Sequence, residues 1–232
     1  MSPLSTSIIL PVYNQVDHIQ AIVTEYLVAL KDVNFDYEIL LVVNNSRDGS
    51  IEACQALQDA HEAVRMLNLD AGGWGLAVKA GLREAKGDLL CYTNSARTHP
   101  QDLTLLLLYG SINADKVIKA NRKIRESTFR RLGSLLYNLE CRALFDLPYW
   151  DINGTPKVFP RVCRGLLDLQ RDDDLIDLEF SVVCKQNDYP MLEVPIFSSL
   201  RHGGKSTTNL KSALKMYLNA YLMWLDRRKG GQ

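Results

Sequence analysis

The sequence predicts an α/β protein with a mostly parallel sheet flanked by helices, and three observations favour this class. Short apolar runs of four to eight residues recur through the first half of the chain and suit buried strands. Stretches with apolar residues at helical spacing alternate with them. Loops rich in Asn, Ser, Asp and Gly follow several of the runs. Strands that alternate with helices in this way are typical of a layered sheet with helices on both faces.

The first half of the chain supplies most of this pattern. Strands are predicted at 7–12, 37–43, 64–69, 89–92 and 116–119. A helix is predicted over 19–30, Ser50 is suited to cap the helix after the second strand, and the helix before the fourth strand is entered through glycines. Gly87 is predicted to end that helix, and a further helix is predicted over 100–109.

The pattern changes after Ala120. A long helix is predicted over 129–147, with an apolar stripe at Leu132, Leu136, Leu139 and Ala143 and a polar stripe at Arg130, Ser134, Asn138 and Arg142. A strand at 157–159, a short helix at 176–183 and a strand at 192–197 follow. A C-terminal helix carries Leu210, Leu214, Tyr217, Leu218, Tyr221 and Leu225 on one face. The prediction is one domain over 1–232 with a topological shift near residue 120.

Composition limits the function classes. The chain has 232 residues, with 27 basic and 27 acidic side chains, so a general nucleic-acid binder is not expected. Its five cysteines are scattered without a C-x-x-C pair, which favours a reducing compartment over disulfides or a zinc site. The apolar stretch 216–225 is too short to span a bilayer. A cytoplasmic protein is predicted, with at most peripheral contact at the inner face of the membrane.

The stretch 73–102 is the centre of the predicted site. A helix entered through Gly73 and Gly75 leads to the apolar run 89–92, and the polar loop 93–97 then leaves that strand. Ligands of open α/β sheets bind at the carboxyl ends of the strands. Chemistry is therefore expected near Asn94.

Several short motifs of the chain match those of a known protein family. They are 7–14 (Ser-Ile-Ile-Leu-Pro-Val-Tyr-Asn), 46–50 (Ser-Arg-Asp-Gly-Ser), Gly73-x-Gly75-x-Ala77 with Gly81 and Gly87-Asp88, His99-Pro100, Arg130-x-x-x-Ser134, Asp151-x-x-Gly154, Glu193-Val-Pro195 and 201–206 (Arg-His-Gly-Gly-Lys-Ser). In this order they cover nearly the whole chain. The chain resembles family-2 glycosyltransferases of the Rossmann-like GT-A fold, nearest to the polyprenyl-phosphate (dolichol-phosphate mannose type) sugar synthases.

The resemblance implies inverting transfer of a sugar from a nucleotide-diphosphate donor to a phosphorylated or lipid-linked acceptor. Residues 1–120 would form the nucleotide-sugar half and 121–232 the acceptor half. Donor binding is expected at Pro11, Tyr13, Gln15, Asn44, Asn94, Ser95, Ala96, Arg97 and Arg201, and acceptor binding at Arg122, Arg130 and Ser134. The family's general base falls near Asp177 and Glu179. Those two residues diverge by about 200° on a helix, so only one can face the cleft, and a helix-surface role is an equal alternative.

The departures concern charge. The family's Asp-x-Asp motif, which holds a divalent cation, is replaced by Asn94-Ser95-Ala96, and Gln15 stands where a Glu is usual. Mg²⁺ prefers carboxylate and phosphate oxygens, so no metal ligand is assigned and Mg²⁺ or Mn²⁺ binding is expected to be weak.

Other interpretations stay open. A catalytically degenerate GT-A protein with a binding or regulatory role is the main alternative, and unpaired arginines at 122, 130 and 201 would argue against it. The glycines at 73, 75 and 81 have a packing explanation. The apolar face of the C-terminal helix suits a core, while Trp224 with Arg227, Arg228 and Lys229 suits a membrane interface.

Overall fold

A computed structural model describes residues 4–123, 128–197 and 210–230. The strands are β1 (Thr6–Val12), β2 (Tyr37–Asn44), β3 (Val64–Leu69), β4 (Leu89–Tyr92), β5 (Val117–Arg122), β6 (Lys157–Pro160) and β7 (Met191–Ile196). The helices are α1 (Ile19–Leu30), α2 (Ser50–Ala60), α3 (Trp74–Glu84), α4 (Pro100–Ile112), α5 (Thr128–Phe145), α6 (Ile176–Gln186) and α7 (Leu210–Gly230). Every predicted strand and helix is present, with ends shifted by up to three residues.

The strands form one sheet in the order β3-β2-β1-β4-β6-β5-β7. Neighbouring strands run parallel except β6, which is antiparallel to both β4 and β5. The chain passes from β1 through α1 to β2 on one side, while β4 lies on the other side of β1. The sheet therefore has a topological switch point between β1 and β4, which is where such sheets bind ligands.

Both faces of the sheet are covered, because alternate side chains of each strand point to opposite layers. One layer packs Ile8, Leu10 and Val12 of β1 under α1, α2 and α4. The other packs Ile9 of β1 and Val42 of β2 under α3 and α6. A smaller cluster, which includes Tyr137, Cys141, Leu178, Ala220 and Met223, lies where α5 and α7 meet α6.

Gly81 and Gly87 lie where a side chain would collide with strand β1. A Cβ on Gly81 would come 2.3 Å from Cγ2 of Ile9, so helix α3 rests directly on β1. Gly87 does not end that helix, because α3 stops at Glu84. Its amide instead donates to the Ser7 hydroxyl at 2.7 Å, and a Cβ there would meet the Ser7 backbone nitrogen at 2.6 Å.

Much of the apolar stripes of α5 and α7 is exposed, contrary to the core role suggested for α7, although Tyr217 of the α7 stripe packs inward. On α5 the exposed residues are Leu132, Leu135, Leu136 and Leu139, and on α7 they are Leu214, Leu218, Tyr221 and Leu222. The buried side of α5 carries Tyr137 and Cys141 instead. The two helices join through Tyr217, whose ring meets Tyr137 edge-on and whose hydroxyl donates to the Gly133 carbonyl at 2.6 Å.

Candidate active site

The site is built on the carboxyl ends of β1, β2 and β4, and Asn44 holds the first two in place. This side chain is buried at the end of β2. Its Nδ2 donates to the Val12 carbonyl at 2.8 Å, and its Oδ1 accepts the Gly73 amide at 3.2 Å. Asn44 therefore ties β1, β2 and the start of α3 together, which leaves its amide group committed to the scaffold.

A chain of hydrogen bonds links the loops that follow β1, β2 and β4. Oδ1 of Asp48 accepts a hydrogen bond from the Ser50 hydroxyl. The Ser50 oxygen in turn accepts one from the backbone N–H of Gln15 at 2.8 Å. Oε1 of Gln15 then accepts the Ser95 hydroxyl at 2.7 Å. Ser50 is the first residue of α2 and Gly49, with φ +85°, is the cap, so the predicted capping role of Ser50 is wrong. Its hydroxyl braces the loop of β1 instead.

The predicted donor residues at the end of β1 differ in access. Pro11 is buried within the strand, whereas Tyr13 is exposed just after it and Gln15 is half-buried. Of these, only Tyr13 presents a large free surface to a ligand.

The loop after β4 is a tight turn. The Asn94 carbonyl accepts the amides of Arg97 and Thr98, both at 3.0 Å. Ser95 and Ala96 are buried, so only Asn94 and Arg97 of the predicted donor residues here reach the surface. Oδ1 of Asn94 is shielded from water and has no hydrogen-bond partner among the described residues.

This loop does not fit the divalent cation that the fold family implies. Ala96 has no ligand atom, the Ser95 hydroxyl is engaged by Gln15, and Asn94 offers one neutral oxygen. Nor do three or more His, Cys, Asp or Glu side chains gather into a possible metal site anywhere in the described ranges. A cation at this position would depend on oxygens of the ligand itself and on water.

A strap formed by residues 170–174 crosses the start of α3. The Asp172 carbonyl accepts the Leu76 amide at 3.0 Å, and Lys79 donates to the Gln170 carbonyl at 2.7 Å. A Cβ on Gly75 would come 2.4 Å from the Arg171 carbonyl oxygen. The close approach of this strap supports the packing explanation for the α3 glycines.

Glu179 of α6 holds the strap from below. Its carboxylate accepts the Gln170 amide at 3.0 Å and the Arg171 amide at 2.8 Å. The side chain is buried, so the surface interpretation of this residue is wrong. Both carboxylate oxygens of Glu179 are therefore engaged by backbone amides of the strap.

Asp177, one of the two candidate bases, is buried where α6 packs against β4 and β6. Its Oδ1 accepts the Tyr92 hydroxyl at 2.9 Å and the ammonium group of Lys157, which is fully buried on β6. Burial lowers the pKa of Lys157 to about 8, and the Asp177 charge opposes that change. Burial likewise raises the pKa of Tyr92. Asp177 is thus a buried carboxylate paired with a cation, and a surface role is wrong for this residue also.

Two further buried ion pairs follow on β5. Lys119 donates to Oε1 of Glu193 at 2.7 Å. Arg122 forks onto Asp151, with Nε to Oδ2 and Nη2 to Oδ1 both at 2.8 Å. The geometry is the two-bond pairing that makes arginine suited to planar anions. Arg122 is therefore engaged by a carboxylate of the chain, so it does not support an acceptor phosphate as the sequence analysis expected.

The polar stripe of α5 packs on the turn after it. The side-chain oxygen of Asn138 accepts a hydrogen bond from the backbone N–H of Ile152 at 2.8 Å. Its side-chain nitrogen donates to the Ser134 carbonyl, also at 2.8 Å. Arg142 stacks on Trp150 with its guanidinium carbon 4.0 Å from the ring centre. Ser134 is half-buried in this row. The side chain of Arg130 and all of Arg201 lie outside the residues that the structure describes.

Two buried lysines and Trp74 were not anticipated from the sequence. Lys119 and Lys157 lie opposite each other on β5 and β6, at the end of one predicted strand and the start of the other. A lysine inside a predicted buried strand is a signal for a paired charge. Trp74 stands among Gly72, Gly73 and Gly75, where one large ring is unusual.

Comparison with known proteins decides the family. The sequence profile of glycosyl transferase family 2 matches residues 7–159, which is most of the chain and includes every loop at the carboxyl edge of β1, β2 and β4. The chain belongs to glycosyltransferase family 2. The resemblance stated from the motifs is therefore confirmed.

Curated family-2 relatives match only part of their own length. An undecaprenyl-phosphate 4-deoxy-4-formamido-L-arabinose transferase of Pseudomonas fluorescens (strain SBW25) is 28% identical over 136 residues, which is 57% of this chain and 40% of that protein. The enzyme of the same name from Pseudomonas fluorescens (strain Pf0-1) is 31% identical over 139 residues, with the same shares. The match thus spans about two fifths of these relatives.

Solved structures agree on the fold of this family-2 chain. Glucosyl-3-phosphoglycerate synthase from Mycobacterium tuberculosis, solved with Mn²⁺, UDP-glucose and phosphoglyceric acid, superposes with a TM-score of 0.72 at 15% identity. The likeness covers 97% of this chain and 79% of the other. The predicted GT-A fold is therefore confirmed.

Proposed function

We propose that the protein is an inverting glycosyltransferase that uses a nucleotide-diphosphate sugar and a phosphorylated, lipid-linked acceptor. The family match over 7–159 carries this proposal, because it takes in all the loops at the switch point of the sheet. The printed names of the curated relatives, which are undecaprenyl-phosphate sugar transferases, support the acceptor class.

The state of Asp177 favours an acceptor that is already an anion. A hydroxyl acceptor needs a base to remove its proton, and that base must reach the acceptor oxygen. Asp177 is buried and paired with Lys157, and Glu179 is bound to the strap. A phosphate oxygen attacks the anomeric carbon without losing a proton. The leaving diphosphate would be stabilised by arginine, with Arg97 and Arg201 as the proposed residues.

Donor binding should depend only weakly on divalent cations, because the loop Asn94-Ser95-Ala96 offers a cation almost no charge. Thermal-shift screening of UDP- and GDP-sugars identifies the tightest binder, since a ligand of the folded state raises its stability. Calorimetric titration of that nucleotide in EDTA and in millimolar Mn²⁺ then gives two affinities. We expect them to agree within about threefold. A tenfold loss in EDTA, about 1.4 kcal/mol, would contradict this prediction.

A binding or regulatory role without transfer is the second candidate. The observation that favours it is the pairing of Arg122 with Asp151. Arg122 is one of the three arginines that the sequence offered as evidence for a phosphate site, and its charge is already paired. A protein of this kind would bind a nucleotide sugar and release no product.

We also propose peripheral contact with a lipid surface through α5 and α7. Both helices expose leucines on their outward sides, and Tyr221 of α7 stacks on Trp224 with ring centres 5.6 Å apart. Arg228 lies over the same indole at 4.2 Å, next to Arg227 and Lys229. Aromatic and basic residues beside an apolar face are typical of an interfacial helix. None of the helices in the described part of the chain is long and apolar enough to cross a membrane.

The double variant Leu136→Lys with Leu218→Lys tests this contact. Both residues are about half exposed, so folding should be kept, while two charges enter the apolar face. We expect at least a tenfold loss of binding to vesicles of phosphatidylglycerol in sedimentation. Ile112→Lys with Val28→Lys, at exposed apolar positions on α4 and α1, is the matched control and should bind as the parent does. Equal binding of both double variants, or a parent that forms dimers and ignores vesicles, would refute the contact.

A further inference from the structure

Helix α4 is apolar on both of its sides, although one side alone packs against the sheet. The inner side contributes to the layer that also contains α1 and α2, through Leu103, Leu106 and Leu107. On the outer side Leu105 and Leu108 are 39% and 40% exposed, and Ile112 is 81% exposed. A helix that is apolar all round is normally buried on every side. The outer side of α4 is therefore suited to a partner.

The exposed side chains of α4 have the spacing of a seam between two helices. Successive members of this line are four, three and four residues apart, at Gln101, Leu105, Leu108 and Ile112. The spacing is the alternation of a and d positions that turns one line of side chains toward a partner helix. Tyr109, which is 39% exposed, widens the line on one side. The pattern indicates an α-helix as the partner.

The charge of α4 distinguishes among the possible partners. Between Pro100 and Ile112 the one charged residue is Asp102, which is buried. A helix that lies on a lipid surface usually carries Lys and Arg beside its apolar face, and α4 has neither. A strongly charged partner would find no opposite charge there. The same side of a second copy meets it without repulsion, because a two-fold axis places identical surfaces together.

The patch is small and lies apart from the apolar face of α5 and α7. Four side chains of this kind expose a few hundred Å², whereas a standard interface buries about 800 Å² on each partner. Smaller contacts are weak and transient, so a reversible dimer is expected. α5 and α7 meet α6, which packs on the other face of the sheet. Pairing through α4 would therefore leave the leucines of α5 and α7 accessible.

We propose that a second copy of this chain docks on the outer side of α4, with the two α4 helices antiparallel across a two-fold axis. Leu105 then packs against Leu108 of the partner subunit, and the symmetry repeats this contact in reverse. Gln101 and Ile112 lie at the two ends of the seam. The dimer goes beyond the proposed sugar transfer and does not depend on it.

Sedimentation velocity of the parent from about 1 μM to about 300 μM covers the range of a weak dimer. The variant Leu105→Lys with Leu108→Lys brings lysines of both copies into the seam, and both positions are exposed in the monomer, so folding should be kept. We expect the parent to dimerise in this range and the variant to dimerise at least tenfold more weakly. Leu136→Lys with Leu218→Lys, at exposed positions on α5 and α7, is the matched control and should dimerise as the parent does.

Cysteines placed in the seam give a second measurement that does not depend on the lysines. All five native cysteines are buried, so an exposed cysteine should dominate disulfide formation under mild oxidation. An equimolar mixture of Leu105→Cys and Leu108→Cys should form a covalent dimer. The control mixture of Leu135→Cys and Leu139→Cys, at exposed positions on α5, should form much less.

A parent that stays monomeric throughout the range overturns the proposal, as does a folded lysine variant that dimerises like the parent. Equal cross-linking of the two cysteine mixtures also overturns it, and these mixtures decide alone if the lysine variant does not fold. A monomeric parent whose binding to phosphatidylglycerol vesicles is lost in the lysine variant would instead assign α4 to a lipid surface. None of these measurements requires nucleotide binding, so their outcome is separate from that of the proposed function.

Discussion

Replacing Asp177 with alanine is expected to lower the free energy of unfolding by about 3–5 kcal/mol at pH 7. The change leaves the Lys157 ammonium in the core without its carboxylate, and a buried unpaired charge is strongly destabilising. It also takes the acceptor from the Tyr92 hydroxyl. Chemical denaturation of the parent and the variant gives the difference.

A matched control and a double variant make this result specific. Asp146→Ala removes a carboxylate that pairs with Lys185 at 2.6 Å on the surface, and we expect no measurable change. Lys157→Met combined with Asp177→Leu removes both charges and should recover much of the lost stability. If Asp177→Ala costs no more than Asp146→Ala, the buried pair has no structural role.

The same pair predicts a pH dependence. The Lys157 pKa is about 8 in the folded chain and 10.5 is its ordinary value, so between these pH values the unfolded chain binds more protons. Stability contributed by this group therefore rises with pH across that window. The Lys157→Met variant should lack the rise when unfolding is compared at pH 8 and pH 10. A parallel pH response in parent and variant would contradict it.

The second large effect is expected on the acceptor side. Arg130 precedes Ser134 by one helical turn at the start of α5, and a charge-assisted bond from arginine to phosphate is worth about 2–3 kcal/mol. Arg130→Ala should therefore reduce kcat/KM for a polyprenyl-phosphate acceptor about 30- to 100-fold, with donor affinity unchanged.

Arg131→Ala is the control for this substitution. Arg131 is exposed on a different side of the same helix and carries the same charge. A loss from Arg131→Ala equal to that from Arg130→Ala would indicate a general charge effect. Intact turnover and acceptor affinity in Arg130→Ala would remove α5 from the acceptor site.

The sequence predicted the elements well because their signals are local. The strands 64–69 and 89–92 were placed to the residue, and 89–92 is a short apolar run between turn formers. The end of α3 was misplaced because Gly87 is required by contact with Ser7, which is 80 residues away. A glycine required by a distant contact cannot be told in the sequence from a glycine that ends a helix.

The faces of helices and the engagement of charges were harder to predict. A leucine stripe such as Leu132, Leu136 and Leu139 has the same periodicity whether it faces a core or solvent. The pairing of Arg122 with Asp151 depends on β5 lying beside a turn that follows α5. The spacing of residues along the chain does not show that Arg122 and Asp151 become neighbours in the fold. The loops proposed for the site could be located from the sequence, since they follow the ends of predicted strands that the structure contains.

Sugar transfer by this family-2 chain can be measured as the formation of product. The purified chain is incubated in EDTA and in Mn²⁺ with UDP- and GDP-sugars and with undecaprenyl phosphate in vesicles. Mass spectrometry then measures lipid-linked sugar and free nucleoside diphosphate. We predict equal amounts of both products from one nucleotide sugar, with inverted anomeric configuration. A nucleotide sugar that binds tightly and yields neither product under either condition would contradict transfer and establish a binding role.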